Sequence, residues 1–425
     1  MSTKDRPLRT LLPAILVLLS TIGIAKASQP VPDQTLIERG RYLAQAGDCV
    51  ACHTSPAKGA APFAGGLKMA VPMLGSIFAT NITPDPETGI GRYTEQDFAR
   101  AVREGVAKDG HNLYPAMPYP SYSKVSDEDI SALYAYFMHG VAPVKQANLA
   151  PEIPKLLQMR WPLKLWNLVF LDTERFKPIP ENSVEWNRGA YLVQGLGHCG
   201  TCHTPRGIGL QEKALDQRGG AYLSGAQLGG WFASNLTSNP TTGIGKWSAQ
   251  DIVDFLKTGA NSHATAFGPM TEVINNSTQW MTDQDLAAMA VYLKSLAAAG
   301  TAIPQHGPVD PKVMAHGAQV YQNYCVSCHL PNGKGTAPWL SPLAGNPNVL
   351  EGNPVSLINV TLNGTEALVI DGVPAPYPMP AHRHALTDAQ IADALTFTRN
   401  SWGNQAPAVA ARDVKTLREQ TGHDK

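Results

Sequence analysis

The sequence predicts a mainly α protein built as three tandem small domains, each a compact helical bundle with long loops. Three observations carry that prediction. The pentapeptide Cys-x-x-Cys-His occurs at Cys49–His53, Cys199–His203 and Cys325–His329. The first two copies sit inside a longer repeat: Asn81-Ile82-Thr83 returns as Asn235-Leu236-Thr237, and Gly89-Ile90-Gly91 as Gly243-Ile244-Gly245, each displaced by 154 residues. Helix-start signatures also recur at matching places, a hydroxyl or carboxylate cap ahead of an apolar-periodic run. Such agreement marks duplication of a whole structural unit.

Composition agrees. A length of 425 residues suits several domains rather than one. The 34 Lys+Arg balance the 34 Asp+Glu, which removes any electrostatic reason to expect nucleic-acid binding. The 38 Gly and 34 Pro call for many loops, while 43% hydrophobic residues suffice for packed cores and exclude a disordered chain.

In chain order, residues 1–27 read as an export signal. Lys4, Arg6 and Arg9 precede the apolar run Leu11 to Ala25, and Ala25-Lys26-Ala27 offers small residues for cleavage before Ser28. The rival is an uncleaved anchor, but the run is shorter than the ~20 residues a span needs and contains Pro13. No later stretch is long and apolar enough to cross a bilayer. The chain is therefore expected to be exported to the periplasm, with any membrane contact peripheral or made through a partner.

The first domain is expected over 28–145. It opens on Glu38-Arg39-Gly40-Arg41-Tyr42-Leu43 and contains helix starts at Thr94-Glu95-Gln96-Asp97 and Ser126-Asp127-Glu128-Asp129. Residues 146–182 form a linker whose Met159 to Leu171 stretch is Trp-rich and amphipathic. Two readings of that stretch stay open: an exposed patch for a partner or membrane interface, or packing between domains. The second domain, 183–299, repeats the first with Asn187-Arg188-Gly189-Ala190-Tyr191-Leu192, Ser248-Ala249-Gln250-Asp251 and Thr282-Asp283-Gln284-Asp285. The third, 301–405, is more divergent. Asp310-Pro311 caps its first helix, and Gly317-x3-Tyr321-x3-Cys325 suits close packing against a last helix starting at Thr387. Residues 406–425 read as a charged tail.

The cysteines carry the chemistry. All six fall in the three motifs and each pair is followed by His, so a disulfide framework does not explain them. On a helical turn, positions i, i+3 and i+4 share a face. Cys49 and Cys52, Cys199 and Cys202, and Cys325 and Cys328 can then each link one haem through thioethers, while His53, His203 and His329 reach iron. A zinc site would need ligands from motifs more than a hundred residues apart, and a redox dithiol has no use for three histidines. Three covalently bound haem c groups are expected.

A methionine in a proline-marked loop precedes each last helix: Tyr114-Pro115-Ala116-Met117-Pro118, Gly268-Pro269-Met270 and Tyr377-Pro378-Met379-Pro380. Proline fixes the local backbone, so Met117, Met270 and Met379 are expected as the sixth ligands. His/Met ligation suits electron transfer, since the soft sulfur favours ferrous iron. Met138, Met289 and Met314 read as core residues. Met69 and Met73 lie nearer the first motif but have no counterparts. His111, His198 and His263 are rival ligands that otherwise read as surface or hydrogen-bonding residues. His382 and His384 follow Met379 closely and keep the third ligand set open. No nucleophile elbow, phosphate loop, flavin or nicotinamide fingerprint is present. With methionine on every iron no position stays open for oxygen, so the bottom-up expectation is an electron wire with no catalytic residue.

The longer blocks resemble a known family. Ala46-Gly47-Asp48-Cys49 with Cys52-His53-Thr54, Tyr114-Pro115-Ala116-Met117-Pro118-Tyr119-Pro120-Ser121-Tyr122, Leu133-Tyr134-Ala135-Tyr136-Phe137-Met138-His139-Gly140, Gly195 to Arg206 and Ser401-Trp402-Gly403-Asn404 are similar to the triheme cytochrome c subunits of membrane-bound periplasmic dehydrogenases. The resemblance spans roughly residues 34–405 and implies three class I-like cytochrome c domains. Ala381-His382-Arg383-His384 departs from the apolar or aromatic residues the family pattern leads one to expect there. The family role it implies is to accept electrons from a catalytic dehydrogenase subunit and pass them to ubiquinone. The partner is a flavoprotein with a small third subunit for gluconate or polyols, a quinoprotein for primary alcohols, or a molybdenum hydroxylase. The flavoprotein gluconate 2-dehydrogenase type is favoured, and a free periplasmic shuttle is the rival from another class.

Overall fold

The computed structural model describes residues 1–2, 33–71, 75–300, 307–374 and 376–422. The leader, its cleavage site before Ser28, Met73 and the expected start of the third domain at Thr301 lie outside the described residues.

The first unit opens with α1 (Gln34–Ala46), started by the Asp33 carboxylate accepting from the Thr35 amide. The short α2 (Cys49–Cys52) carries the first motif. A hairpin of β1 (Lys68–Val71) and β2 (Gly75–Phe78) follows, antiparallel with Lys68 opposite Phe78. Helix α3 (Glu95–Glu104) begins with a full capping box between Thr94 and Asp97. After α4 (Tyr119–Tyr122), α5 (Asp127–Ala135) starts at Ser126, whose hydroxyl accepts from Asp129 N, and widens into a π-helical turn over Tyr136–Gly140. Helix α6 (Trp161–Phe170) lies between the units.

The second unit repeats this order with α7 (Val184–Tyr191), α8 (Gly200–His203), the β3 (Ala226–Leu228) and β4 (Trp231–Ala233) hairpin, α9 (Ala249–Thr258), α10 (Pro269–Asn276) and α11 (Asp283–Ser295). The third has α12 (Pro311–Tyr324), α13 (Val326–His329), α14 (Pro347–Leu350), α15 (Val355–Asn363), the short pair β5 (Val369–Ile370) and β6 (Val373–Pro374), α16 (Asp388–Arg399) and α17 (Ala411–Gln420). The expected charged tail does not trail free. Val414 and Leu417 bury their side chains against the third unit, and Arg418 pairs with Asp388 at 2.7 Å.

One contact defines each unit. The first helix crosses the last at a glycine: Gly40 on α5, Gly189 on α11, Gly317 on α16. A Cβ there would lie 1.9, 1.9 and 2.2 Å from the backbone oxygens of Ala132, Ala288 and Asp393. Only glycine lets two helix backbones approach so closely.

The first two units are not beads on a string. They share one core, in which Leu43, Ile130 and Leu133 pack with Leu192, Leu286 and Leu293. Tyr42 Oη donates to Asp285 at 2.5 Å, and Tyr191 Oη donates to Asp129 at 2.6 Å. Each tyrosine thus binds the carboxylate that its own repeat partner's unit holds at the start of the last helix. Arg39 and Arg188 hold the same two carboxylates from within their units. The exchange gives the pair an approximate two-fold relation. The third unit keeps its own core and meets the second through Leu368, which packs with Ala266 and Ile274.

Helix α6 has one packed face and one exposed face. Trp166 Nε1 donates to Gly209 O at 2.7 Å and Asn167 accepts from Tyr119 Oη at 2.7 Å, which docks one face between the units. The other face is solvent-exposed.

Candidate haem centres

In each motif the histidine ring is oriented by a backbone carbonyl. Nδ1 of His53 lies 2.7 Å from Thr80 O, that of His203 2.6 Å from Ser234 O, and that of His329 2.9 Å from Ser341 O. A ring that donates from Nδ1 keeps its lone pair on Nε2, the tautomer needed by a metal ligand. Burial lowers the pKa of all three below the ordinary histidine range, so they remain neutral.

The repeated Asn-x-Thr triplet explains how the carbonyls are held. Asn81 Oδ1 accepts from the amide and hydroxyl of Thr83 at 2.9 and 2.7 Å, while its Nδ2 donates to Val144 O. Asn235 does the same with Thr237, at 2.8 and 2.7 Å, and with Ala299 O. Each asparagine immediately follows the residue whose carbonyl orients the histidine. In the third unit Asn346 Nδ2 instead donates to Pro342 O, one residue past Ser341.

The cysteines form no disulfides. Burial pushes the thiols up, Cys49 and Cys199 to about 12 and Cys52 and Cys325 to about 11. A redox dithiol works through a thiolate, which depressed values supply. Among the described residues no three His, Cys, Asp or Glu side chains converge on a point.

Around the third motif lies an open, mostly apolar cleft of about 1390 Å³, solvent mouth included. Cys325, Cys328 and His329 line it together with Met379 and His382. The apolar lining fits a haem, with the attachment residues and a soft sulfur donor on the same cleft. Met117 and Met270 lie half-buried against the shared core, which also receives Cys49 and Cys199. Met270 does not lie in a loop as expected: Pro269, which has no amide hydrogen to lose at a helix start, and Met270 open helix α10, and that helix lies against α2 beside the first motif. The Cys52 thiol is raised by burial and further by Asp48, Glu272 and Cys202, which puts the first two motifs side by side.

The cytochrome c family profile matches residues 37–140, 187–297 and 314–402, one match for each motif. The chain belongs to the cytochrome c family. Several of its relatives are cytochrome subunits of dehydrogenases. The chain is 49% identical to the gluconate 2-dehydrogenase cytochrome c subunit of Pantoea cypripedii over 95% of its length and 94% of that protein. It is 45% identical to the cytochrome c subunit of the quinone-type alcohol dehydrogenase of Gluconobacter oxydans (strain 621H), over 94% and 86%. It is 38% identical to the fructose dehydrogenase cytochrome subunit of Gluconobacter japonicus, over 97% and 90%. Cytochrome c domains carry covalently bound haem c, and the six cysteines of this cytochrome stand where that attachment needs them.

The rival histidines of this cytochrome have other partners. His111 pairs with Asp109 at 2.6 Å, His198 Nε2 lies 3.3 Å from Gly47 O between the first two units, and His263 stacks on Trp247. Of the two after Met379, His382 lines the third cleft with its ring edge towards Tyr324, and His384 is exposed. Sequence reasoning missed Glu212. Burial raises its carboxyl to about 7, Thr201 inside the second motif donates to it at 3.2 Å, and no counterpart in the first unit drew attention to it.

Proposed function

We propose that this cytochrome is the three-haem electron-transfer subunit of an exported, membrane-associated dehydrogenase complex. It accepts electrons from a catalytic subunit and passes them to ubiquinone. The carrying observation is the threefold site: three cysteine pairs on short helices, each followed by a carbonyl-oriented neutral histidine. When bound, each haem supplies reversible one-electron Fe(III)/Fe(II) chemistry.

The chain's own residues do the rest. Cys49 and Cys52, Cys199 and Cys202, and Cys325 and Cys328 attach the groups, and His53, His203 and His329 bind iron through Nε2. Met117, Met270 and Met379 are the proposed sixth ligands, each next to a proline that fixes its backbone. Thr80, Ser234 and Ser341 carbonyls fix the imidazole planes, and the apolar walls exclude water. Such a subunit requires no substrate site of its own, because oxidation of the organic substrate belongs to the partner.

The favoured partner is a flavoprotein of the gluconate 2-dehydrogenase type with a small third subunit, supported by the 49% identity to such a cytochrome over nearly the whole chain. A quinoprotein alcohol dehydrogenase is the second reading, supported by 45% identity over a similar span. Purification from detergent-solubilised membranes, with mass spectrometry of what accompanies the chain, tests both. Haem reduction by gluconate and a co-purifying flavoprotein are expected. Reduction by primary alcohols and a quinoprotein would select the second reading. A chain released alone by osmotic shock, with no dehydrogenase, would overturn both in favour of a free shuttle.

A further inference from the structure

The outward face of α6 carries Trp161, Leu165, Leu168 and Val169, exposed by 63, 56, 82 and 70%. Their spacing of four, three and one places them on a single stripe of the helix. Leu156 and Met159 extend it towards the N-terminal side, and Ile208 stands fully exposed on the loop that Trp166 ties to the helix through Gly209. The exposed apolar side chains are thus gathered on one helix face and the segments beside it rather than scattered singly.

Among the described residues nothing covers the stripe. The inward face of α6 is already committed: Asn167 bonds Tyr119 and Glu104, and Trp166 packs against Tyr119 at 6.1 Å. The helix is therefore held rigidly with its apolar face outward. The charge around it is one-sided. Between Glu152 and Asp172 the only charged residues are Lys155, Arg160 and Lys164, in a chain whose overall formal charge is zero. Arg160 is occupied, stacked on Tyr114 at 3.6 Å, whereas Lys155 and Lys164 are exposed beside the stripe.

A helix lying flat, with a Trp near its start, aliphatic residues on one face and flanking lysines, has the chemistry of an interfacial lipid-binding segment. We infer that α6 is the surface by which this cytochrome seats on an anionic lipid bilayer, with the stripe in the headgroup–acyl boundary and Lys155 and Lys164 on lipid phosphates. Among the described residues no helix is long and apolar enough to cross a membrane. The inference rests on the proposed membrane-associated role only in naming a lipid surface as the occupant. The seat has a functional corollary. Trp166 and Phe170 line a small cleft together with Pro115 and Pro118 of the Met117 loop and Thr201 of the second motif. Seating α6 on lipid leaves that junction behind the helix, about 10 Å from the lipid boundary.

The test is co-sedimentation of the secreted, haem-loaded chain, its N terminus verified by mass spectrometry at Ser28, with vesicles of phosphatidylglycerol and phosphatidylethanolamine. The parent chain is expected to bind. Leu165→Glu/Leu168→Glu should weaken binding at least tenfold, and Lys155→Gln/Lys164→Gln several-fold at low salt only. Both variants change exposed side chains, and unaltered haem spectra and circular dichroism establish that they fold. Failure of the parent chain to bind, or equal binding by the leucine variant, overturns the inference. So does a parent dimer in light scattering that the leucine variant abolishes, which would assign the stripe to a second copy. Loss of the dehydrogenase subunit from the variant complex, with vesicle binding intact, would assign it to a protein partner and likewise overturn the lipid seat. Haem reduction by the partner dehydrogenase in detergent is read in parallel. Its absence with intact vesicle discrimination sinks the electron-transfer reading and leaves the seat standing.

Discussion

Replacing Tyr191 by Phe isolates a single hydroxyl at the junction of the first two units. The ring stays in place against Phe176, centroids 5.7 Å apart, so packing is conserved. What disappears is a bond to the Asp129 carboxylate at 2.6 Å and acceptance of the Ser126 amide at 3.2 Å. Asp129 is buried, and although Arg39 still holds its Oδ1, the oxygen that Tyr191 satisfied is left without that donor. A hydrogen bond to a buried charge is worth about 1.5–3 kcal/mol, and the freed amide adds to the loss, so a total near 2–3 kcal/mol is expected. For a cooperative unit of this size that lowers the melting temperature by about 4–12 °C. Thermal unfolding of the haem-loaded chain, followed by circular dichroism and Soret absorbance, reads it. The shift should appear in the transition shared by the first two units and be absent from the third, which keeps a separate core. Tyr42→Phe should act in the same transition with a smaller effect, because Tyr42 is only partly buried. If Tyr191→Phe melts with the parent chain, the reciprocal exchange does not hold the two units together, and the shared-core architecture is wrong.

Further tests address the other levels. Gly317→Ala gains about 1 kcal/mol of helix propensity, but its Cβ would sit 2.2 Å from Asp393 O, so the third unit should lose net stability; an unchanged or higher melting temperature would refute that helix crossing. Changing both cysteines of any one motif to alanine should remove a third of the haem measured by pyridine haemochrome, and a different fraction would correct the count of three. Met379→Ala should abolish the methionine–iron charge-transfer band of one haem, whereas an unchanged spectrum would shift that ligation to His382 or another group. Asp285 is held below the ordinary carboxylate range by Arg188 and Tyr42, which outweigh the opposing effect of its burial. Its stabilising contribution is complete above an unfolded value of about 3.9 and disappears as pH falls through the lower folded value. Acid titration should therefore loosen the first two units below roughly pH 4, and Asp285→Asn should remove that part of the pH dependence.

Much of the site is legible in the linear chain because its chemistry is local. The two cysteines and the histidine of each motif lie within one helical turn, so spacing alone specifies their common face. The caps at Thr94, Ser126, Ser248, Thr282 and Thr387 are equally local, each hydroxyl bonding an amide three residues on, and all five start helices. Gly317 could be assigned to a close crossing because a small residue one turn from an aromatic suggests one, although the sequence does not identify Asp393 as the backbone it meets.

Only the tertiary structure decided how the units relate. Tyr42 and Asp285 are 243 residues apart and belong to different repeats. The recurrence of both residue types was visible, but nothing in one dimension says that the bonds run across the repeats rather than within them. The same holds for the carbonyls of Thr80 and Ser234, which hold the haem histidines through backbone atoms that any residue supplies. The two faces of α6 could be read from its periodicity, but which was buried depended on where the flanking units docked. The sequence by itself determined the covalent chemistry and the three helical domains, since both follow from spacings within a turn or two. Long-range packing determined the rest, because shape and hydrogen-bond complementarity between distant segments exist only once the chain has folded.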